Sequence, residues 1–499
     1  MPLLLIAAVA LHAEPLRLSG LFTDGVVLQR DKPIRVWGWA EPGAEVTVSL
    51  QDTTSRTHAG ADGAWGLELP ARAAVRAGIE LSARSQGNEV RVRDVLVGEV
   101  WLCSGQSNME WMVSQSDQGD EEVSSARFPH IRHFRVPKLA AETPQADVRG
   151  VWRPAVPEHV GAFTGVGFFF AREVHLALEG VPVGLINASW GGKMIEVFLP
   201  PTAIARTPHG PAIERRWLAE TAEMNARQVD YPRLLDEWTR ARTLARERGE
   251  SFARARPSNP AEILAQHRPC CAFNGMIAPL VPCSIRGTLW YQGEHNISRP
   301  AEYLTLFPAL IHDWRERFGQ GETPFYFVQL SAYSAPMDKS RIGFAELRDA
   351  QTRTLAVPAT GMAVTIDIGT PDNVHPRNKQ DVGRRLARLA KAHTYGLGGE
   401  FSGPTFQSAA RQGDTLQLTF AHADGGLVAR QQPLPGFEVA GDDGVFRTAV
   451  AQVEGSLVKL SAAAVPEPRQ IRYAWSNAPE TALFNRSGLP AVPFRTVLP

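Results

Sequence analysis

The chain has 499 residues, which at about 150 residues per domain predicts roughly three structural units. Lysine plus arginine and aspartate plus glutamate number 52 each, and no long run of like charge interrupts the sequence. Nucleic-acid-binding proteins concentrate basic residues in one patch, so this balance argues against that class and favours a small, neutral partner.

The first residues predict export. Residues 1–14 contain an apolar core that ends in a small residue, like the second half of a secretory signal, although the usual basic start is missing. We expect this segment to be a signal peptide and the protein to be secreted or periplasmic. No later stretch supplies about 20 uninterrupted apolar residues, so no membrane span is expected in the mature chain.

Residues 15–94 predict a small β-sandwich domain. Short strand-type runs such as IRVWGWA, EVTVSL and AWGLELP alternate with turn sequences such as EPGA and ADGA. Strands and turns at a spacing of roughly ten residues, without a helical period, are typical of a sandwich.

Residues 95–399 change to short apolar strands that alternate with helices. After the strand at 95–103, helices are predicted at 164–180, 300–319, 343–356 and 378–393, and strands at 182–189, 284–291, 324–331 and 361–367. Thr164 is the expected N-cap of the first long helix. This alternation predicts an α/β domain with a parallel sheet and helices on both of its faces.

Two further segments complete the chain. Residues 201–268 carry charged helical stretches, which we interpret as a solvated insertion that could overhang a pocket rather than as a partner-binding surface. Residues 400–499 return to strand-type runs such as DTLQLTFAH and QIRYAWS, which predicts a second small β domain.

The four cysteines have neither a zinc-ligand spacing nor the density of a disulfide framework. One bridge from Cys270 or Cys271 to Cys283 and unpaired structural thiols are both compatible with the sequence. Cys103 lies in an apolar run and is expected to be a small buried side chain.

Ser107 lies in the sequence GQSNM, just after a predicted strand. It is either a nucleophile, which needs a base and oxyanion donors, or the residue that caps the following helix. The nucleophile turn of α/β-hydrolases requires the sequence G-x-S-x-G, and Met109 occupies the second glycine position. A nucleophilic Ser107 must therefore be presented on a different turn.

The segment DNVHP follows the last predicted strand of the α/β domain. Asp372 is three residues before His375, so the carboxylate could hold Nδ1–H and leave Nε2 facing a serine, while Pro376 fixes the direction of the chain. Asp367 is a competing carboxylate. A polar loop before a helix remains the alternative interpretation.

Two loops could supply hydrogen-bond donors. Gly191 and Gly192 follow one predicted strand, and they are candidate donors because glycine lets a backbone N–H approach a reacting oxygen. An ordinary turn is the alternative interpretation. The other loop has the sequence QGEHN, in which Gln292 and Asn296 carry amide donors.

Within that second loop, Glu294 could hold a neighbouring loop or a ligand hydroxyl, and His295 is a rival base. The serine, the acid–histidine pair and both donor loops follow predicted strands of one α/β unit. Together they indicate a hydrolase.

The sequence resembles the sialate O-acetylesterase family, a branch of the SGNH or GDSL serine esterases. The resemblance rests on the blocks GEVWLCSGQSNMEW, VPVGLINASWGGKMIE, FNGMIAPL, LWYQGEHN, DNVHPRNKQDVGRRLA and RYAWSNAPETALFNRSGLPAVPFRT. These blocks occur in the family's order and span residues 30–496, so the match covers almost the whole chain.

The resemblance implies a catalytic triad. Ser107 would be the nucleophile, His375 the general base, and Asp372 the residue that orients the histidine. The oxyanion donors would be the backbone N–H of Ser107, a backbone N–H of the glycine pair, for which we choose Gly192, and the side chain of Gln292.

The resemblance also implies a flavodoxin-like, three-layer SGNH hydrolase domain flanked by β domains, with no metal or organic cofactor. Asn108, Glu294 and His295 are the expected substrate contacts. Two positions depart from the family pattern. His295 stands where serine or alanine is usual, which bears on substrate preference and pH dependence, and Lys193 stands where a small residue such as threonine is usual. Neither position belongs to the proposed triad.

The expected function is removal of O-acetyl groups from an acetylated carbohydrate, most specifically from sialic acid, through an acetyl-enzyme. An esterase acting on acetylated plant or bacterial glycans, of the acetylxylan type, is the alternative. A non-catalytic carbohydrate-binding protein is the other class considered, because the 12 tryptophans allow it. The oligomeric state stays open.

Overall fold

A computed structural model describes residues 16–498. The N-terminal region consists of two β-sheets. Its strands are Arg17–Leu18 (β1), Val27–Gln29 (β2), Ile34–Trp39 (β3), Glu45–Leu50 (β4), Thr53–His58 (β5), Ala64–Leu69 (β6), Val75–Ser85 (β7) and Asn88–Gly105 (β8). Strands β1, β3 and β6 form one sheet, and β5, β4, β7, β8 and β2 pair in the other. In β4, Val46, Val48 and Leu50 are buried, because alternate residues of a strand point to the same side.

Strand β8 joins the N-terminal region to the central sheet. It is 18 residues long and buried from Val95 to Gly105. Its first half pairs with β7, and its second half is the middle strand of the central sheet. The domain boundary expected near residue 94 therefore falls inside one continuous strand.

The central sheet is mixed but mainly parallel. Its other strands are Phe128–Arg135 (β9), Trp152–Ala155 (β10), Val183–Ser189 (β11), Gly287–Tyr291 (β12), Phe325–Val328 (β13) and Thr360–Ala363 (β14). The order is β10-β9-β11-β8-β12-β13-β14, and only β10 is antiparallel to its neighbour. Numbered along the chain, β8, β11, β12, β13 and β14 have the order 2-1-3-4-5 of flavodoxin-like sheets. The predicted α/β class is confirmed.

Helices cover both faces of this sheet. The α-helices are Ser107–Glu110 (α1), Gly119–Ser125 (α2), Pro157–Val160 (α3), Gly165–Ala177 (α4), Pro201–Ala205 (α5), Gly210–Glu247 (α6), Pro260–His267 (α7), Pro300–Phe318 (α8), Gly343–Arg353 (α9) and Lys379–Leu389 (α10). The ring of Trp101 lies 4.9 Å from Phe170 of α4, and Trp290 lies 5.8 Å from Trp314 of α8. Trp101 pairs with Gly287, three residues before Trp290, so the two tryptophans point to opposite faces.

The predicted start of α4 is confirmed. Thr164 is its N-cap, and the Thr164 hydroxyl accepts a hydrogen bond of 3.3 Å from the backbone N–H of Gly167. A side-chain oxygen at this position satisfies an N–H that has no partner inside the helix. The residue predicted from the sequence to cap α4 is therefore the one that caps it in the structure.

The insertion is helical. Its charged stretches fall mainly in one 38-residue helix, α6, which continues through Pro232 and is preceded by the short α5 and followed by the short α7. Only Ile213, Met224 and Ala245 of α6 are buried. Most of α6 therefore faces solvent, while α7 returns the chain to the central sheet.

The C-terminal region is composed of strands. They are Thr405–Gln412 (β15), Thr415–Ala421 (β16), Leu427–Ala429 (β17), Phe437–Ala440 (β18), Arg447–Thr448 (β19), Val450–Glu454 (β20), Leu457–Ser461 (β21), Gln470–Tyr473 (β22), Leu483–Asn485 (β23) and Phe494–Val497 (β24). They form two four-stranded sheets and one two-stranded sheet. Arg348 of α9 is fully buried and donates to the carbonyl oxygens of Ser476 and Asn477 at 2.8 and 2.7 Å, which joins this region to the α/β domain.

All four cysteines are unpaired, and Cys103, Cys270 and Cys271 are buried. Burial raises the pKa of Cys270 to about 12 and that of Cys271 to about 11, so both are held as thiols at neutral pH. Between residues 16 and 498 no helix is long and apolar enough to span a bilayer. The predicted signal segment, residues 1–14, lies outside the described residues.

Candidate active site

The candidate residues converge because the strands that carry them are neighbours. Ser107 follows β8, the glycine pair follows β11 and Gln292 follows β12, and β11 and β12 flank β8 in parallel. The carboxyl ends of these three strands therefore meet at one edge of the sheet. This is also where the chain switches direction across a doubly wound sheet, the usual position of a ligand site.

The end of β8 is held tightly by its neighbours. Gly105 has a φ of 128°, and a Cβ on this residue would lie 2.1 Å from the carbonyl oxygen of Tyr291. The backbone N–H of Gln106 donates to that same carbonyl at 2.9 Å, and the N–H of Trp190 donates to the carbonyl of Gly105 at 2.9 Å. Glycine at 105 thus allows the turn that presents Ser107.

Replacing Gly105 with alanine is expected to lower the melting temperature by about 3 °C or more, because the new methyl group must displace backbone and adopt a strained φ. Gly210→Ala is the matched control, because a Cβ there makes only ordinary contacts of 3.6 Å or more. Thermal unfolding followed by circular dichroism compares the two variants. Equal melting temperatures for both would contradict the close approach described for Gly105.

Ser107 is hydrogen-bonded to His375. The distance between Ser107 Oγ and His375 Nε2 is 2.8 Å. Ser107 is the first residue of α1, whereas Gln106 occupies the N-cap position and no side chain caps this helix. The serine hydroxyl is therefore directed at an imidazole and does not cap the helix, while its role as a nucleophile stays a prediction.

The ring of His375 is positioned by packing as well as by this bond. It stacks on Trp111 with a centroid distance of 5.0 Å and an angle of 24°. The backbone N–H of His375 donates to Asn373 Oδ1 at 2.9 Å. Burial, followed by the positive charge of Lys379, lowers the pKa of His375. The imidazole is therefore neutral at pH 7 and able to accept the proton of the serine.

Neither candidate carboxylate contacts His375. Asp372 is exposed, and within residues 16–498 it forms no hydrogen bond to the histidine. Asp367 binds Arg385 through both carboxylate oxygens, at 2.6 and 2.7 Å. The structure thus assigns Asp367 to an ion pair, and orientation of His375 by Asp372 stays a prediction.

Backbone N–H groups near Ser107 include free donors. Gly191 lies against Ser107, since a Cβ on it would be 3.3 Å from Ser107 Cβ. Its N–H is already used, because it donates to Glu110 Oε2 at 2.9 Å. The N–H groups of Ser107 and Gly192 have no acceptor in the described part of the chain. Both are therefore available for an oxyanion, and the predicted choice of Gly192 stays open to test.

Gln292 has a different environment from the one expected of an oxyanion donor. It is fully buried, and its amide nitrogen donates to the carbonyl of Lys193 at 3.2 Å and to Asn296 Oδ1 at 2.7 Å. Both N–H donors are thus engaged with the protein. In this structure Gln292 fixes the loop of the glycine pair, and its predicted contact with an oxyanion stays a prediction.

Asn108, the residue after Ser107, is bound to the loop that carries His375. Its amide nitrogen donates to Glu294 Oε1 at 2.5 Å and to the carbonyl of Val374 at 2.9 Å, and its oxygen accepts from Lys379 Nζ at 2.6 Å. Val374 immediately precedes His375. Because Asn108 is fully buried and its amide is satisfied, it acts here as a connection, and its predicted contact with substrate remains untested.

Burial disfavours the charged forms of the two titratable groups in this network, Lys379 and Glu294. Burial lowers the pKa of Lys379 to about 7 and raises the pKa of Glu294. Glu294 Oε2 is buried without a hydrogen-bond partner, whereas Lys379 also donates to the carbonyl of Pro376 at 2.6 Å. Below pH 7, where His375 titrates, Lys379 is mostly protonated, and the network then places a positive charge close to His375.

Replacing Lys379 with methionine is expected to shift the acid limb of the kcat/KM profile to higher pH. Loss of the positive charge raises the pKa of His375, and the protonated imidazole cannot act as the base. The profile is measured with an activated acetyl ester, with the surface variant Lys339→Met as the control. An acid limb that stays in place or moves to lower pH would contradict the electrostatic coupling.

Glu110, Trp111 and Lys379 also belong to the site but were not predicted from the sequence. A signal was present in each case, since Glu110 and Trp111 belong to the block SNMEW and Lys379 follows His375 by four residues. The rival base, His295, lies in the loop after β12 and forms no hydrogen bond to Ser107 in the described chain, where that bond is made by His375.

Comparison with known proteins agrees with this chemistry. The sequence model of the family described as "Carbohydrate esterase, sialic acid-specific acetylesterase" matches residues 273–392. Sialate O-acetylesterase of Rattus norvegicus is 32% identical over 546 residues, which cover 99% of this chain and 97% of the relative. The protein of that name from Homo sapiens is 30% identical over 423 residues, covering 76% of this chain and 71% of the relative.

A solved structure of a carbohydrate acetylesterase from Xanthomonas citri is also similar. It is 37% identical, superposes with a TM-score of 0.81, and the match covers 96% of this chain and 99% of that one. The matches and the site geometry define a carbohydrate esterase, a carboxylic ester hydrolase. The chain belongs to the sialate O-acetylesterase family.

Proposed function

We propose that this protein is an SGNH-type serine esterase that removes O-acetyl groups from carbohydrates, with O-acetylated sialic acid as the favoured substrate. The observation that carries the proposal is the 2.8 Å hydrogen bond between Ser107 Oγ and His375 Nε2. A serine is a weak nucleophile until a neighbouring base removes its proton, and this pair supplies both groups.

In the first half-reaction, Ser107 Oγ attacks the acetyl carbonyl carbon and His375 Nε2 takes the hydroxyl proton. The backbone N–H groups of Ser107 and Gly192 would stabilise the resulting oxyanion. When the intermediate collapses, the bond to the sugar oxygen breaks, and His375 gives its proton to that oxygen. The deacetylated sugar leaves, and the acetyl group remains on Ser107.

In the second half-reaction, a water molecule attacks the acetyl-enzyme while His375 accepts a proton from it. Collapse breaks the bond to Ser107 Oγ, the proton returns to the serine and acetate is released. Asp372 is proposed as the third member of the triad. His375 Nδ1 has no acceptor in the part of the chain that the structure describes, so a position for a carboxylate is open.

Acetate release from three substrates tests the proposed specificity: 9-O-acetyl sialic acid, acetylxylan and acetylated glucosides. The highest kcat/KM on the sialic acid would support the proposal. A clear preference for acetylxylan or the glucosides would favour the alternative, an esterase of plant or bacterial glycans. The absence of acetate release from all three and from an activated acetyl ester would favour a non-catalytic carbohydrate-binding protein.

We further infer that the protein is exported, from the apolar residues 1–14. The N-terminal peptide of the protein recovered from expressing cells tests this inference. A mature N-terminus close to residue 15 in the exported fraction is expected, whereas an intact N-terminus confined to the cytoplasm would contradict it.

A further inference from the structure

The helical insertion reaches the edge of the candidate active site. Its last helix, α7, ends at His267, and the centroid of the His267 ring lies 6.3 Å from that of His295. The preceding residue, Gln266, accepts a hydrogen bond of 3.2 Å from Lys193 Nζ. The insertion therefore contacts the loop after β11 and lies beside the loop after β12, which are the two loops that flank Ser107.

His267 is held in a defined orientation. Its Nδ1 lies 2.7 Å from Glu220 Oε1 on the long helix α6. A carboxylate on one ring nitrogen fixes the ring and leaves the other nitrogen for a second partner. Among residues 16–498, His267 Nε2 has no hydrogen-bond partner.

The His295 ring is also unengaged, although its backbone is fixed. Its N–H points to Gln106 Oε1 at 3.4 Å, and Gln106 is the residue directly before Ser107. Neither ring nitrogen of His295 has a hydrogen-bond partner in the described chain. Two imidazoles thus offer free ring nitrogens beside the loops that flank Ser107, one from the insertion and one from the loop after β12.

Lys193 connects the helix that carries His267 to the loop after β11. This residue is only 4% exposed, and its ammonium group lies 5.2 Å from the centre of the Trp190 ring while it binds Gln266. The loop that carries Lys193 is in turn held by Gln292 through the Lys193 carbonyl. The position of α7 is therefore coupled to the loop of the glycine pair.

The chemistry of the two rings fits hydroxyl groups. Partial burial, followed by the charges of His267, Arg299 and Lys193, lowers the pKa of His295, while Glu196 acts in the opposite direction. A neutral imidazole has one N–H donor and one acceptor nitrogen, as a sugar hydroxyl has one donor and lone pairs. The ring centroids lie 6.3 Å apart, which is close enough for one sugar to contact both imidazoles.

We propose that His267 and His295 form a hydroxyl-binding subsite for the sugar that carries the acetyl group, so that the insertion contributes directly to sugar selectivity. The proposal rests on the proposed esterase function. It assigns a role to α7, the helix that follows the largely solvated α6. It also gives a reason for the bond between Glu220 and His267 at the end of α7.

The test compares two substrates in the same enzyme preparation: an O-acetylated sugar that the wild type hydrolyses, and p-nitrophenyl acetate, which has no sugar. The ratio of their kcat/KM values does not depend on how much of a preparation is folded. In His267→Ala and His295→Ala this ratio is expected to fall by about 5- to 10-fold, mainly through a higher KM for the sugar, as for the loss of one hydrogen bond.

Two further variants sharpen the test. His267→Gln introduces an amide that can bind a hydroxyl in place of the imidazole and is expected to recover part of the ratio lost in His267→Ala. His312→Ala, at an exposed histidine of α8, is the matched control and should keep the wild-type ratio. A ratio within about twofold of the wild type in both His267→Ala and His295→Ala would overturn the subsite. A wild type that hydrolyses neither ester would instead reject the proposed function.

Discussion

Replacing Ser107 with alanine is expected to lower kcat for acetate release by at least about 10⁴-fold, because the proposed covalent step has no other nucleophile. The hydroxyl removed is the group that lies 2.8 Å from His375 Nε2. Acetate released from an O-acetylated sugar by the purified variant, measured with a coupled assay, provides the test.

Ser114→Ala is the matched control for this experiment. Ser114 is an exposed serine seven residues after Ser107, and its side chain has no hydrogen bond in the described structure. Its replacement should leave kcat within about twofold of the wild type, as for surface substitutions generally. Acetate release by Ser107→Ala at the rate of Ser114→Ala would reject Ser107 as the nucleophile.

Replacing His375 with alanine is expected to lower kcat by a similar factor, about 10⁴-fold or more, because the serine then has no base. His295→Ala is the matched histidine control. It should mainly raise KM for the sugar or alter the pH profile, because the His295 ring does not contact Ser107. Steady-state kinetics of both variants on one substrate separate the two effects.

The opposite pattern, with kcat lost in His295→Ala and retained in His375→Ala, would show that the base is assigned to the wrong histidine. Circular dichroism of His375→Ala shows whether the variant is folded. This control matters because the ring of His375 stacks on Trp111, so that its removal also changes packing.

The arrangement of the site could be predicted from the sequence because it depends on strand order. Ser107 and His375 are 268 residues apart, yet each follows a strand of one parallel sheet. Parallel strands place their carboxyl ends at the same edge, so residues that follow different strands come together there. Apolar runs, capping residues and turn sequences are local signals, which is why helices α4, α8, α9 and α10 lie where the sequence predicted them.

Features that depend on side-chain geometry were not predictable in this way. The sequence offered Gln292 as an oxyanion donor, but its amide is turned inward to Asn296 and to the Lys193 carbonyl. Asn108 was expected to contact substrate, and the structure has it bound to Glu294 and Lys379. Loop packing decides which of several polar partners an amide binds. Loops have no periodic sequence pattern from which this packing could be predicted.

Two architectural details were missed for a related reason. The helix α6 continues through Pro232, although proline in a helix interior usually breaks or kinks it. Strand β8 continues across the expected domain boundary at residue 94, because its two halves pair with different sheets. Both are consequences of tertiary contacts and not of local propensity.

The central claim is that Ser107 is the activated nucleophile of an esterase, and a fluorophosphonate probe tests it most directly. The probe reacts covalently with activated serines, and peptide mass spectrometry locates the adduct. We predict a single adduct on Ser107, strongly reduced labelling in His375→Ala and no labelling in Ser107→Ala. An adduct on another residue, or labelling that persists in Ser107→Ala, would contradict the account.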